Sequence, residues 1–339
     1  MPDRLAWGVL STAKIATEKV IPGLQRSAFC HVAAIASRDA ATAERAAATL
    51  GIPRAHGSYE ALLADPAIDI VYNPLPNHLH VPWTIRALEA GKHVLCEKPV
   101  ALTAAEAETL LDARERSGRL VAEAFMVRHH PQWIRARELA QSGAIGTVRA
   151  MQTFFSYFLV DPANVRNQAD IGGGGLYDIG CYAILTARYV FGAEPERVAA
   201  LIDRDPALRV DRMTSGLVAF PDNRHLSFTC STQLSPHQRV TIVGTTGRIE
   251  ILVPFNAPPD RPCRIVIDDG RDLHGGGARV EEFPAADQYG LQGDAFVRAV
   301  RGEAPLAWPI EDAIANMRVI EAMFRAGAEG RWEPVAVSA

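Results

Sequence analysis

Asp178 and Tyr182 stand four residues apart, directly behind the run Gly172-Gly173-Gly174-Gly175. On a helix that opens after those glycines, positions i and i+4 share one face. A carboxylate and a phenol placed together there can pass a proton to or from a hydroxyl that is being oxidised or formed. The other readings are a core tyrosine with its hydroxyl satisfied and an acid resting at a helix N-terminus. The glycines lack the Lys-Ser/Thr of a phosphate loop, so close backbone approach explains them better.

A second group sits near the start of the chain. Gly8-Val9-Leu10-Ser11-Thr12-Ala13-Lys14-Ile15-Ala16 turns from a strand into a helix, where a doubly wound fold offers backbone N–H groups to a pyrophosphate. Ser11 and Ala13 occupy positions where glycines usually sit. The next strand ends at Ala36 and leads into Ser37-Arg38-Asp39. An acid directly after the strand would accept from a ribose 2′-hydroxyl; Ser37 and Arg38 suit a 2′-phosphate instead, so NADP is expected before NAD. The plainer reading makes Arg38 a solvated residue and Ser37 an N-cap. His78, His80, His93 and Cys96 lie on separate elements without zinc-type pairing, and no metal is expected.

These residues need elements to hold them. Short apolar runs at 5–10, 32–36, 68–72, 93–96 and 120–124 read as buried strands. Helical patterns at 13–26, 39–50, 81–90 and 103–117 separate them, closed by Gly51, Gly91 and Gly118. Strand–helix alternation means a parallel sheet covered on both faces. After residue 126 the pattern changes to one helix at 131–141 and strands at 149–157, 197–202, 214–220, 225–232, 239–243, 248–253 and 264–267. Helices at 290–301 and 310–326 close the chain, and 268–278 reads as a Gly-rich loop tip. Strands that follow strands imply antiparallel pairing. The expected α/β architecture is a Rossmann doubly wound parallel sheet at 1–125, binding the dinucleotide. An α+β domain at 126–339 follows, with a large, mostly antiparallel open sheet for substrate and oligomer contacts; its last helices can pack back on the first domain.

The runs Gly8 to Ala16, Asn73-Pro74-Leu75-Pro76-Asn77-His78, Gly91-Lys92-His93-Val94-Leu95-Cys96-Glu97-Lys98-Pro99 and Gly172 to Tyr182 resemble the glucose–fructose oxidoreductase / inositol dehydrogenase / rhizopine-catabolism (GFO/IDH/MocA) family. Tyr182, where inositol dehydrogenase-like members carry His, places the chain beside the xylose dehydrogenase, dihydrodiol dehydrogenase and glucose–fructose oxidoreductase branch. Ser11 and Ala13 depart from the family's glycine turn. The resemblance implies that Lys98, Asp178 and Tyr182 serve the substrate pocket. Tyr182 is then the acid/base, Lys98 the ammonium that favours the phenolate, and Asp178 an orienting carboxylate. It also implies a cis peptide at Lys98-Pro99. Cofactor contacts are implied for Gly8, Ser11, Thr12, Ala13, Lys14, Ile15, Ser37, Arg38, Asn73, Leu75, Asn77, His78, Glu97, Lys98 and Arg166. Arg128 joins the substrate side, in a stretch with His129 and His130 that the family uses near cofactor and substrate; His-His-Pro before a helix also reads as a plain capping turn. The implied activity is NADP-dependent hydride transfer at a sugar or polyol, first an aldose 1-dehydrogenase. A dihydrodiol dehydrogenase or ketosugar reductase is the alternative, and a non-catalytic NADP-binding regulator a second one.

Composition agrees with a small-molecule partner. The 339 residues are 48% apolar and 22% charged, with a net charge of −4, which favours neither nucleic acid nor an anionic membrane. Five cysteines without a CxxC pair suit a reducing cytoplasm. The N-terminal Met1-Pro2-Asp3-Arg4 runs straight toward a strand with no signal-peptide pattern, and no apolar run would span a bilayer. An open sheet face in the second domain, with 149–157 and the strand around Ile249, Ile251 and Val253 on it, implies a homodimer or homotetramer.

Overall fold

The computed structural model of the chain describes residues 4–336; Met1, Pro2 and Asp3, read above as leading straight to a strand, and the last three residues lie outside the described residues. The chain forms two compact units, one made of the residues up to Met126 together with Asp287–Ile314, the other of Val127–Ala286 and the residues from Ala315 on.

The first unit is a six-stranded parallel sheet. Its elements run β1 (Leu5–Leu10), α1 (Ile21–Arg26), β2 (Cys30–Ala36), α2 (Ala40–Leu50), β3 (Arg54–His56), α3 (Tyr59–Leu63), β4 (Ile70–Asn73), α4 (His80–Glu89), β5 (His93–Cys96), α5 (Ala104–Ser117) and β6 (Val121–Glu123). The spatial order is β3-β2-β1-β4-β5-β6, so the order reverses between β1 and β4. That reversal is where a doubly wound sheet opens a crevice at the carboxyl ends of its strands. The central strands are buried on both faces, which is why they read as unbroken apolar runs. The helix expected over 13–26 is interrupted: a π turn at Ala16–Val20 precedes α1. Asp39 rather than Ser37 caps α2, accepting from Thr42 N at 2.8 Å. β3 and α3 were not expected from the pattern, being only three and five residues long.

The second unit contains α6 (Pro131–Gln141), β7 (Val148–Phe158), α7 (Cys181–Phe191), β8 (Arg197–Arg204), β9 (Asp211–Phe220), β10 (Arg224–Ser231), β11 (Gln233–Gly244), β12 (Arg248–Ile251), β13 (Cys263–Asp268) and β14 (Ala278–Phe283). The chain continues with α8 (Gln288–Val300), α9 (Ile310–Glu329) and the two-residue β15 (Glu333–Pro334). The sheet order is β14-β13-β12-β11-β7-β10-β9-β8-β15. Pairing is antiparallel except between β7 and β10, which run parallel, so the sheet is mostly antiparallel, as expected. One face of this sheet is packed by its own helices. Ile249, Ile251, Met151 and Phe155 are on that buried face; of the segments expected to show apolar residues on the open face, 149–157 presents Phe154 there and the Ile249 strand turns Ile249 and Ile251 inward. With Phe154, the open face carries Leu201, Leu217 and Trp332 around a depression of about 670 Å³. Leu201 there is 79% exposed.

All five cysteines are free thiols in buried positions. Among the described residues, no helix is long and apolar enough to cross a membrane, and no group of His, Cys, Asp and Glu is arranged to hold a metal ion.

Candidate active site

In the first unit the candidate residues gather at the carboxyl ends of the parallel strands. The turn after β1 bends at Ser11, whose φ is +76°, a left-handed conformation that suits glycine and that a serine adopts at some cost. Its N–H donates to Ala36 O at 2.9 Å, and its hydroxyl accepts from Ala13 N at 3.3 Å. Thr12, Ala13, Lys14 and Ile15 follow on the rim, with Lys14 exposed. Gly8 lies inside β1 instead; a β-carbon there would come within 2.7 Å of Leu62, so packing against α3 requires the glycine. At the end of β2, Ser37 is held through its N–H to His56 O and Arg38 is exposed. The Arg38 guanidinium is hydrogen-bonded to the Tyr59 hydroxyl and pulls that phenol's pKa down, although burial outweighs it. Tyr59 in turn packs edge-on against Trp83 at 5.0 Å, and Arg86 lies 4.6 Å over the same indole. Tyr59 was not among the expected site residues, and its distance in sequence from Arg38 gives no local signal of the contact.

Past β4, Asn73 is fully buried and spends its amide inside the protein: Nδ2 donates to His80 O and Thr84 Oγ1, and Oδ1 accepts from Leu75 N. Asn73 therefore shapes the turn that presents Leu75, Asn77 and His78. His78 lies in the short 3₁₀ turn Asn77–Leu79, and its Nδ1 is buried without a hydrogen-bond partner. His80, not expected at the site, bridges two loops: Nε2 meets Leu75 O and Nδ1 meets Pro99 O, each at 2.7 Å. Burial drives its pKa down to about 4 against the pull of those carbonyls. At the end of β5, Tyr72 donates to Glu97 Oε1 at 2.5 Å, Glu97 Oε2 accepts from Lys98 N, and the Lys98-Pro99 bond is cis. A bent turn after β1, a cation after β2 and an orphaned buried imidazole nitrogen after β4 fit a dinucleotide carrying an extra phosphate.

In the second unit the site is built along one face of β7. Phe155 and Tyr157, two residues apart, point to the same side of the sheet. The Phe155 ring meets Tyr182 edge-on at 5.9 Å, and the Tyr157 hydroxyl donates to Asp178 Oδ2 at 2.5 Å. β7 thus lines up Asp178 and Tyr182 along one strip. The step between them is not a regular α-helical one, as had been expected: Leu176–Gly180 is a π turn, and α7 begins only at Cys181. Asp178 Oδ1 is paired with Arg166 Nε at 3.1 Å, so the arginine expected near cofactor or substrate lies against the carboxylate. Burial and the neighbouring carboxylate push the Tyr157 phenol far above its ordinary pKa, so its proton stays on and is donated to Asp178. Tyr182 itself is buried, its ring also 5.3 Å from Phe255. Arg128 is buried, and burial of His129, with the Arg128 charge as the smaller cause, drives the His129 pKa down to about 4. His130 caps α6 through Nδ1, which accepts from Gln132 N.

Residues 5–125 match the model of an oxidoreductase family with an NAD-binding Rossmann fold, and residues 133–250 match the GFO/IDH/MocA C-terminal domain. The chain belongs to the GFO/IDH/MocA oxidoreductase family. It is 48% identical over 333 residues to an uncharacterised oxidoreductase, ORF334, of Rhizobium meliloti, covering 98% of this chain and 100% of that one. A D-xylose 1-dehydrogenase (NADP(+)) of Haloferax volcanii is 39% identical over 96% of this chain and 98% of its own. A 3-ketoreductase of Actinomadura kijaniata, solved in complex with NADP and TDP-benzene, superposes with a TM-score of 0.88 at 32% identity, covering 96% of this chain and 98% of that one. That ketoreductase has also been solved with one lysine or one tyrosine replaced.

Proposed function

We propose that the protein is a cytoplasmic, NADP-dependent oxidoreductase that moves a hydride between nicotinamide and a CH–OH or C=O carbon of a sugar or related polyol. An aldose oxidised at its anomeric carbon is the first substrate to test. The observation that carries this reading is the strip on β7, where Tyr157 and Phe155 hold Asp178 and Tyr182 side by side. NADP, when bound, would take or give the hydride. The chain's own work is to place the sugar and move one proton. With both carboxylate oxygens engaged, Asp178 is an orienting acceptor for sugar hydroxyls rather than a proton carrier. Tyr182 Oη is assigned the proton leaving the reacting hydroxyl, and Lys98 the ammonium that stabilises charge developing on that oxygen. Ser37 and Arg38, the latter steadied by Tyr59, are assigned the 2′-phosphate. His78 Nδ1, Asn77, Leu75, Glu97 and the turn from Ser11 to Ile15 are assigned the rest of the dinucleotide, and Arg128 the sugar.

The NADP-dependent xylose dehydrogenase among the relatives supports oxidation of an aldose, and the 3-ketoreductase solved with NADP and TDP-benzene keeps ketosugar reduction as the second reading. The test is nicotinamide absorbance over time with NADP and a panel of aldoses including xylose and glucose. Reduction that appears with an aldose and is lost in Lys98→Ala and Tyr182→Phe supports the assignment. A flat trace with every aldose, but oxidation of NADPH by a ketosugar, moves the protein to the second reading. Full activity in Tyr182→Phe would sink the role given to its hydroxyl.

A further inference from the structure

The first turn that carries Asp178 has no capping side chain of its own, because Gly175 stands at the N-cap. The missing acceptor arrives from a strand far along the chain. Asp211, the first residue of β9 and 1% exposed, accepts from Leu176 N through Oδ2 at 2.6 Å and from Thr214 Oγ1 at 3.2 Å. Its Oδ1 fills the place where a β-carbon on residue 174 would stand, 1.9 Å from that position. Gly174 also has φ +125°, a backbone that other residues rarely adopt, and its N–H donates to Arg166 O at 2.9 Å. A carboxylate here satisfies an N–H group that the turn leaves unpaired and sits at the positive end of the turn's dipoles. The glycine run is therefore a socket. Arg166 and Gln168 close one side of it, since a β-carbon at Gly173 would lie 2.7 Å from each of their carbonyl oxygens, and Asp211 closes the other. Two residues beyond Leu176 stands Asp178; six beyond stands Tyr182.

We infer that Asp211 is a positioning residue for the reaction: by seating Gly174 and Leu176 it sets where Asp178 and Tyr182 lie along β7, without touching substrate or cofactor. The inference rests on the roles proposed above for Asp178 and Tyr182. A displacement of about 1 Å in such a pair lowers turnover on the order of 100-fold. Asp211→Ala should therefore reduce kcat by roughly 10- to 100-fold while leaving the Kd for NADP within about twofold, because the loss falls on placement and not on cofactor binding. Asp211→Asn, whose amide oxygen can still accept from Leu176 N, should keep most of kcat. Gly174→Ala, which drives a methyl group into the space of Oδ1 while leaving the carboxylate in the chain, should reproduce the loss.

The experiment measures kcat, KM and NADP affinity of the full-length chain and these three variants, with Tyr182→Phe run beside them. Near-UV circular dichroism establishes that each is folded, and a crystal structure of Asp211→Ala gives a readout that needs no substrate. Loss of kcat in Asp211→Ala and Gly174→Ala, rescue in Asp211→Asn and a displaced Asp178 in the crystal support the inference. Normal kcat in folded Asp211→Ala beside an inactive Tyr182→Phe overturns the positioning role and leaves the catalytic reading standing. Full activity in Tyr182→Phe removes the catalytic reading and the positioning role with it. An Asp211→Ala structure with Leu176, Asp178 and Tyr182 unmoved overturns the inference whatever the sugar. If Asp211→Ala does not fold, the Gly174→Ala and Asp211→Asn pair decides alone.

Discussion

Tyr157 and Arg166 divide the two oxygens of Asp178 between them, and that division says what each substitution should do. Tyr157→Phe removes a hydrogen bond to a charged group, worth about 1.5–3 kcal/mol, and lets the carboxylate turn. A fall in kcat/KM of roughly 10- to 100-fold with unchanged NADP affinity is expected from steady-state kinetics. At the cofactor end, Arg38→Ala should weaken NADP far more than NAD, and Tyr59→Phe should do the same more mildly; equal losses for both dinucleotides in a titration would refute the phosphate role. Asp211 carries a stability signature as well. Burial raises its pKa to about 6, above its ordinary 3.8, against the pull of Leu176 N, Thr214 and Arg204; Cys230, the titratable neighbour on β10, has its own thiol pushed far up. A folded-state value above the unfolded one means stability fully present below about pH 4 and lost as the pH rises through 6. Asp211→Asn cannot ionise, so thermal unfolding should find it more stable than the native chain at pH 7.5, by on the order of 3 kcal/mol at most, and level with it near pH 4. Asp178 and Tyr182 stood out as candidates in the sequence because the glycine run and the short spacing behind it are local signals. Tyr157, Tyr59 and Asp211 did not, because tertiary packing alone brings them to their partners.

At the scale of elements, a cap was readable where a long enough periodic run followed it, and Ser58, which caps only the five-residue α3, was not read. Thr103 accepts from Glu106 N at 3.0 Å and Glu106 reaches back to Leu102 N, so α5 begins where the pattern placed it. Thr103→Ala should lower stability by about 1 kcal/mol in denaturant unfolding and leave kinetics unchanged, since α5 supplies none of the proposed site residues. The π turns at Ala16–Val20 and Leu176–Gly180 were invisible, because a residue gained in a helix shifts hydrogen bonds without changing composition. β14 escaped for another reason. It is an edge strand, exposed along most of its length, and so lacks the apolar alternation that marks a half-buried strand.

For the whole molecule, the division into a parallel and a mostly antiparallel sheet was legible from the change in rhythm after residue 126. The β7–β10 pairing was not, since a parallel neighbour leaves no turn between its strands. The open face was anticipated, and Phe154 of 149–157 lies on it, but Ile249 and Ile251 were assigned to the wrong side, because a one-residue shift in phase exchanges the two faces of a strand. With Leu201, Leu217 and Trp332 on it, this face is the proposed contact between copies of the chain. Leu201→Glu should convert a dimer or tetramer to monomers by light scattering at micromolar concentration, and a native chain already monomeric would dismiss the proposal.

The buried thiols give the molecule a built-in chemical clock. Cys30 and Cys96 lie in the strands of one unit, and Cys181, Cys230 and Cys263 in the other. Burial raises the pKa of Cys30, Cys96, Cys230 and Cys263, so in the native state they are both shielded and protonated. A maleimide can reach each one only when its own strand or helix opens. Peptide mapping of the alkylated chain over time would therefore rank the opening of the two sheets without any engineered probe. Added NADP should slow the clock at Cys30 and Cys96 first.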